Sequence, residues 1–282
     1  MRARLTVLSL TLTLGALGTT NLAYAAVPPP YYLALGDSLA LGVQPTANGD
    51  AETNQGYADD LHAFYRLRAP ALRLAKMGCS GETTSTMITG GVCSYPLRSQ
   101  LAQAVDFLQS HRVALITLSI GGDNIIHCIS LTGIDQACLT NGINAAILVD
   151  LPQILATLRA AAGPEVPIVA MNYYNPFLAA WRLVPAPTGP GLAVASLQVT
   201  VLFNTALERV YRAFGVPVAQ VAAAYRITSF SPVPVVGLPL NVALTLTWTW
   251  MGLPPPRGPD IHPNAVGYAV IASAFVKTIG AR

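Results

Sequence analysis

Tyr31 to Leu35 form an unbroken apolar run, and Gly36-Asp37-Ser38 follow it at once. Five apolar residues without alternation suit a strand buried on both faces, the condition of strands inside a parallel sheet. Gly36 permits a sharp turn at the C-terminal end of that strand. Open α/β sheets bind their ligands along that edge. A serine at position 38 would stand there in a cleft, with its own backbone N–H free. A Gly-Asp-Ser turn acquires chemical meaning only if a histidine and oxyanion donors accompany it.

The same design recurs along the chain. Leu72 to Met77 is a short strand candidate followed by Gly78-Cys79-Ser80-Gly81. Val113 to Ile120 is strongly β-prone and ends in Gly121-Gly122-Asp123-Asn124. Val166 to Asn172 leads into Tyr173-Tyr174-Asn175-Pro176, and Val216 to Ala222 reads as the last strand. Helical periodicity fills the intervals: Gly56 to Arg68, Tyr95 to His111, Ile143 to Ala162 (with Pro152 expected to split or kink it), Leu192 to Phe214 and Asn264 to Ile279. Gln44 to Gln55 reads as a polar loop. Ser229 to Pro259 reads as a long Pro-rich, apolar excursion holding Trp248 and Trp250. Strands alternating with helices predict an α/β fold, a parallel sheet covered on both faces. No linker or internal repeat interrupts residues 26–282, which are expected to form a single domain.

Residues 1–25 stand apart. Arg2 and Arg4 precede a short apolar run from Leu5 to Leu17, and Ala23-Tyr24-Ala25 has the small-x-small form of a cleavage site. This is the pattern of a secretory signal peptide cut after Ala25, so the mature chain is expected outside the cell. Arg2 and Arg4 supply two of the net charge of +3, and no Lys/Arg cluster suggests a nucleic-acid partner. Charged residues are only 10% against 52% hydrophobic, which favours a well-buried sheet and leaves apolar surface for an acyl or lipid ester. No later stretch reads as a transmembrane segment, Leu238 to Met251 coming nearest. Four cysteines in an exported chain point to disulfides, with three possible connectivities. The local pairing Cys79–Cys93 and Cys128–Cys138 is preferred because each bond closes a short loop. The spacings match no zinc pattern, so no metal is expected. The oligomeric state is not legible.

A hydrolytic serine needs a base. Of the four histidines, His62 and His111 lie in helical patterns and His127 sits beside Cys128. His262 lies in Gly258-Pro259-Asp260-Ile261-His262-Pro263-Asn264, immediately before the final helix, with a carboxylate two residues upstream and a proline to stiffen the turn. Ser38 and His262 are therefore the candidate nucleophile and base.

In order along nearly the whole mature chain, Gly36-Asp37-Ser38-Leu39, the Gly-Cys-Ser-Gly loop ending at Gly81, Gly121-Gly122-Asp123-Asn124 and His262-Pro263 resemble the successive blocks of the GDSL, or SGNH, hydrolases. The resemblance implies a three-layer α/β/α sandwich around a flavodoxin-like parallel sheet of about five strands. It also implies serine ester hydrolysis without metal or cofactor, acting on a small-molecule or lipid ester. Carried onto this chain, it makes Ser38 the nucleophile and His262 the base. The N–H groups of Ser38 and Gly81 become oxyanion donors, with an asparagine side chain as the third. The α/β-hydrolase elbow, Gly-x-Ser-x-Gly, fits less well because Ala40 holds its last position.

Two departures stand out. The family's third block is Gly-x-Asn-Asp, whereas here Asp123 precedes Asn124. A shift of one residue restores Gly-x-Asn and selects Asn124 as the donor, with Asp123 the alternative. The family's acid lies three residues before the histidine, where this chain has Pro259. Asp260, one residue nearer, is expected to orient His262 through a changed turn, the alternative being a backbone carbonyl near Pro259. Carboxylic-ester hydrolysis is the leading expectation. A deacetylase or acyltransferase acting on cell-envelope glycans, and a non-catalytic envelope protein of the same fold, are the other readings.

Overall fold

The computed structural model describes residues 28–280. The expected signal peptide, with its cut after Ala25, lies outside the described residues. Five strands make one parallel sheet: β1 (Tyr31–Gly36), β2 (Arg73–Lys76), β3 (Val113–Ser119), β4 (Ile168–Met171) and β5 (Val218–Ala219). Their spatial order is β2-β1-β3-β4-β5. This doubly wound order reverses direction between β1 and β3, and a crevice opens at such a reversal beyond the strands' carboxyl ends.

Burial on both faces explains the unbroken apolar runs. Tyr32, Leu33, Ala34 and Leu35 of β1 are fully buried, as are Ile116 and Leu118 of β3. Each aliphatic side chain removed from water in this way contributes about 1.5–3 kcal/mol. The polar atoms that enter the sheet are paired: Tyr32 OH and Thr117 Oγ1 lie 2.8 Å apart.

Helices cover both faces and complete the three layers. On one side α2 (Tyr57–Arg66) packs against α7 (Ala265–Gly280), with the Tyr57 and Phe275 rings stacked at 4.9 Å. On the other side α4 (Gln100–Ser110) packs against α5 (Gln136–Ala162), which meets α6 (Thr188–Ala213). The short α1 (Ser38–Leu41) and α3 (Thr84–Thr89) lie at the carboxyl edge of the sheet. Helices α5 and α6 are long and apolar enough by length and composition to cross a membrane. Both turn a buried stripe toward neighbouring elements, Ile154, Leu155 and Leu158 in α5 and Phe203, Leu207 and Tyr211 in α6, as core helices do.

Several sequence boundaries move. α4 starts at Gln100 rather than Tyr95: Pro96 interrupts the run, Arg98 takes φ +73°, and Ser99 caps the helix by accepting from Ala102 N at 3.2 Å. Pro152 does not split α5. A π-helical stretch, Ala145–Asp150, widens the helix just upstream and leaves Pro152 near the start of a regular segment, where its missing N–H costs little. The Gln44–Gln55 loop contains a small hairpin, Gln44–Thr46 with Gly49–Ala51. The 229–259 excursion contains a helix, Leu240–Trp248. Both cysteine pairs are bonded, Cys79–Cys93 and Cys128–Cys138, with Cα separations of 6.0 and 5.5 Å.

Candidate active site

The crevice is occupied by the polar residues that follow β1 and β3. Gly36 ends β1 at φ +126°, and a Cβ there would collide with the Ser119 carbonyl of β3. Only glycine permits this approach, which delivers Asp37 and Ser38 over the sheet edge. Gln100 clamps the turn: Gly36 N donates to its Oε1 (2.6 Å) and its Nε2 donates to Gly36 O (2.8 Å). Asp37 caps α1 by accepting from Leu39 N at 3.0 Å. It also accepts from Ser119 Oγ (3.0 Å) and Tyr173 OH (2.8 Å). Burial pushes its carboxyl up to about 6, against the pull of those hydrogen bonds and of His262.

Ser38 is the first residue of α1, so its N–H has no intrahelical acceptor. Its Oγ lies 2.9 Å from His262 Nε2. His262 Nδ1 donates to Asp260 Oδ1 at 2.9 Å, and this fixes the tautomer in which Nε2 accepts the serine proton. The same Asp260 oxygen accepts from His262 N at 2.9 Å. The carboxylate two residues upstream thus reaches the ring by closing a turn on the histidine's own backbone. A second carboxylate, Asp50 on the 44–51 hairpin, stands 3.8 Å from Nδ1. Burial disfavours the imidazolium, but Asp260, Asp50 and Asp123 together outweigh it and raise the pKa of His262 above its ordinary value.

Asn124, the expected third oxyanion donor, has its side chain engaged by Thr84. Asn124 is buried with both ends of its carboxamide on Thr84: Oδ1 accepts from Thr84 N (2.9 Å) and Nδ2 donates to Thr84 Oγ1 (3.0 Å). Asp123 lines the cleft instead, beside Ser38 and His262. Its backbone carbonyl is held by His127 Nδ1 at 2.9 Å. Burial and the charge of Asp37 push its carboxyl up to about 7, Glu82 adding to the rise and His262 opposing it. Gly81 lies on the loop tied to β1 by the Cys79 N to Gly36 O bond (3.0 Å) and by the Cys79–Cys93 bridge. It is exposed, takes φ +81°, and is not among the residues lining the cleft.

The cleft holds about 600 Å³ of empty space, its open mouth included. One wall is apolar, with Ile125, Ile126, Ile129, Phe177 and Phe203. Cys128–Cys138 pins the segment that carries the three isoleucines. Phe177 lines the cleft, whereas no residue of the 229–259 excursion does. Trp181 packs against Phe230 with ring centroids 5.8 Å apart. The excursion instead carries the histidine loop: Trp250 N donates to His262 O (3.0 Å) and Asn264 N to Trp248 O (3.0 Å). Gln100, Tyr173 and Asp50 escaped the sequence reading. Tyr173, directly after a buried strand at the ligand edge, carried a usable signal, while Asp50 in a polar loop carried none.

Comparison with known proteins follows the geometry. The profile of the GDSL-like Lipase/Acylhydrolase family matches residues 34–270. No curated protein sequence matches. Among solved structures, an extracellular lipase from Streptomyces rimosus aligns over 89% of this chain and 99% of its own, at 17% identity and TM-score 0.56. A phospholipase A1 from Streptomyces albidoflavus aligns over 90% and 99%, at 18% identity and TM-score 0.53. An acetylxylan esterase from Geobacillus stearothermophilus aligns over 89% and 94%, at 14% identity and TM-score 0.50. These likenesses are of fold.

Proposed function

Because the chain belongs to the GDSL-like lipase/acylhydrolase family, we propose that it is an exported serine hydrolase cleaving carboxylic esters of apolar acids. The observation that carries the reading is the 2.9 Å approach of Ser38 Oγ to His262 Nε2, between residues 224 apart in sequence. His262 is the base: Nδ1–H is held by Asp260, and Nε2 takes the serine proton as Oγ attacks the ester carbonyl. The tetrahedral oxyanion is met by the N–H group of Ser38, which has no intrahelical acceptor at the start of α1. His262 then protonates the leaving alcohol, and water repeats the sequence to free the acid. Asp260 holds the ring and steadies the imidazolium that forms twice in each cycle.

The isoleucine and phenylalanine wall supports an acyl chain as the group held beside Ser38. That wall favours acyl esters over acetylated glycans. Export is supported by the signal-like sequence of residues 1–25 and by the two disulfides. The test is hydrolysis of a chromogenic ester series, acetyl to long acyl, by the oxidised protein beginning at Ala26. Turnover that vanishes in Ser38→Ala and His262→Ala, and that peaks above acetyl, is the expected result. Turnover that survives Ser38→Ala would overturn it. Mass analysis of the protein recovered from culture medium tests the cut after Ala25.

A further inference from the structure

The carboxyl of Asp123 is the unaccounted polar group of the cleft. It lines the same cavity as Ser38 and His262, and among the described residues its side chain makes no hydrogen bond or ion pair. Its neighbour Asn124 is held by Thr84 at both ends of its carboxamide. An ionised carboxylate at this place would repel the negative charge that develops on the ester oxygen. A protonated one would do the reverse, since a neutral carboxyl is an O–H donor. We infer that Asp123 acts as a carboxylic acid, donating its O–H to the oxyanion formed when Ser38 attacks. The proton stays on Asp123 throughout, so no bond to it forms or breaks.

The surroundings hold the carboxyl in that form. Asp37 at the β1–α1 turn and Glu82 before α3 bring negative charge from two elements, Tyr173 after β4 contributes an uncharged hydroxyl already donated to Asp37, and His262 is the one group that favours ionisation. His127, on Asp123's own segment, is spent on the backbone carbonyl. Further out, Asp260 and Asp50 face His262. The productive state therefore has Asp123 protonated and His262 neutral. Activity should fall on the acid side as His262 gains a proton and on the alkaline side as Asp123 loses one, near the value of about 7 to which its surroundings raise it.

This inference rests on the serine-hydrolase reading, and the experiment keeps the two apart. The pH profile of kcat/KM is measured for the wild type, Asp123→Asn and Asp123→Ala on one acyl ester, with Ser38→Ala as control. Asp123→Asn supplies an amide donor at every pH. It is expected to lose the alkaline fall near pH 7 and to leave the acid limb nearly in place, because Asp123 is already uncharged on that side. Asp123→Ala is expected to lose roughly 10²–10³ in kcat at the wild-type optimum, with KM little changed. An alkaline limb unchanged in Asp123→Asn, or wild-type kcat in Asp123→Ala, would sink the inference and leave the nucleophile assignment standing. Activity that persists in Ser38→Ala would instead remove the reading beneath it. Independently of any ester, the carboxyl ¹³C shift of Asp123 should titrate near pH 7, and titration below pH 5 would also overturn it.

Discussion

Asp37 and Asp123 occupy matching places. Each follows a buried strand and a glycine at strongly positive φ, Gly36 at +126° and Gly121 at +110°. Each lines the cleft. Their fates differ. The Asp37 carboxylate accepts from Leu39 N, Ser119 Oγ and Tyr173 OH. The Asp123 carboxyl accepts from none of the described residues. The first is a cap that fixes how Ser38 is presented; the second is left free to meet whatever enters. Identical local sequence logic thus yields a structural acid on one strand and a chemical one on its neighbour, and the hydrogen-bond partners decide which is which.

A third carboxylate sharpens the contrast. Asp260 serves the base alone, so Asp260→Asn should leave the fold intact and lower kcat by roughly 10³–10⁴, as expected when the ring loses its tautomer. The acid limb of the pH profile should also move down, since Asp260 is the main group raising the pKa of His262. A loss below tenfold would assign the orienting role to Asp50.

Asp37→Ala should act on the fold. It strands two buried hydroxyl donors and removes a helix cap, a cost on the order of 3 kcal/mol, whereas Asp123→Ala at pH 4, where the folded Asp123 carboxyl is protonated, should change stability by less than about 0.5 kcal/mol. Urea unfolding of both variants checks this, and equal losses would break the comparison.

The pH dependence of stability separates the pair again. Both carboxyls are raised in the folded state, to about 6 and about 7, above an unfolded value of ~3.9. The folded protein therefore holds protons that the unfolded chain has already lost, and each group destabilises increasingly as pH rises through that window. Asp123→Asn should accordingly raise Tm by a few °C at pH 8 and hardly at pH 4, roughly 2–4 °C for each kcal/mol recovered in a chain this long. Equal shifts at both pH values would contradict the buried-acid account.

Tyr173→Phe is the mildest probe. It removes one donor from Asp37, costs about 1 kcal/mol, and should raise the pKa of Asp37 further, because that hydrogen bond favours its ionised form. An unchanged Asp37 titration would show that the tyrosine is only packing.

The strands of this molecule were legible because parallel sheets demand long apolar runs, and their carboxyl ends could be found because glycine marks each turn. Ser38 and His262 followed from that edge and from the proline-flanked loop. The hold on Asn124 was not legible, because the partner of its carboxamide, Thr84, lies 40 residues away and leaves no local trace. Asp260 was within reach of the sequence because its turn is local, closing on the histidine two residues later. Gln100 clamps Gly36 from 64 residues downstream, and nothing short of the fold announces it.

The hydrogen bond from Ser38 to His262 also orders events in the life of the chain. Synthesis exposes the serine near the start and the imidazole only 224 residues later. A chain that stops short of His262 carries Ser38 without the imidazole that its Oγ meets in the fold. The contact between them can form only once the residues between have been made and folded together.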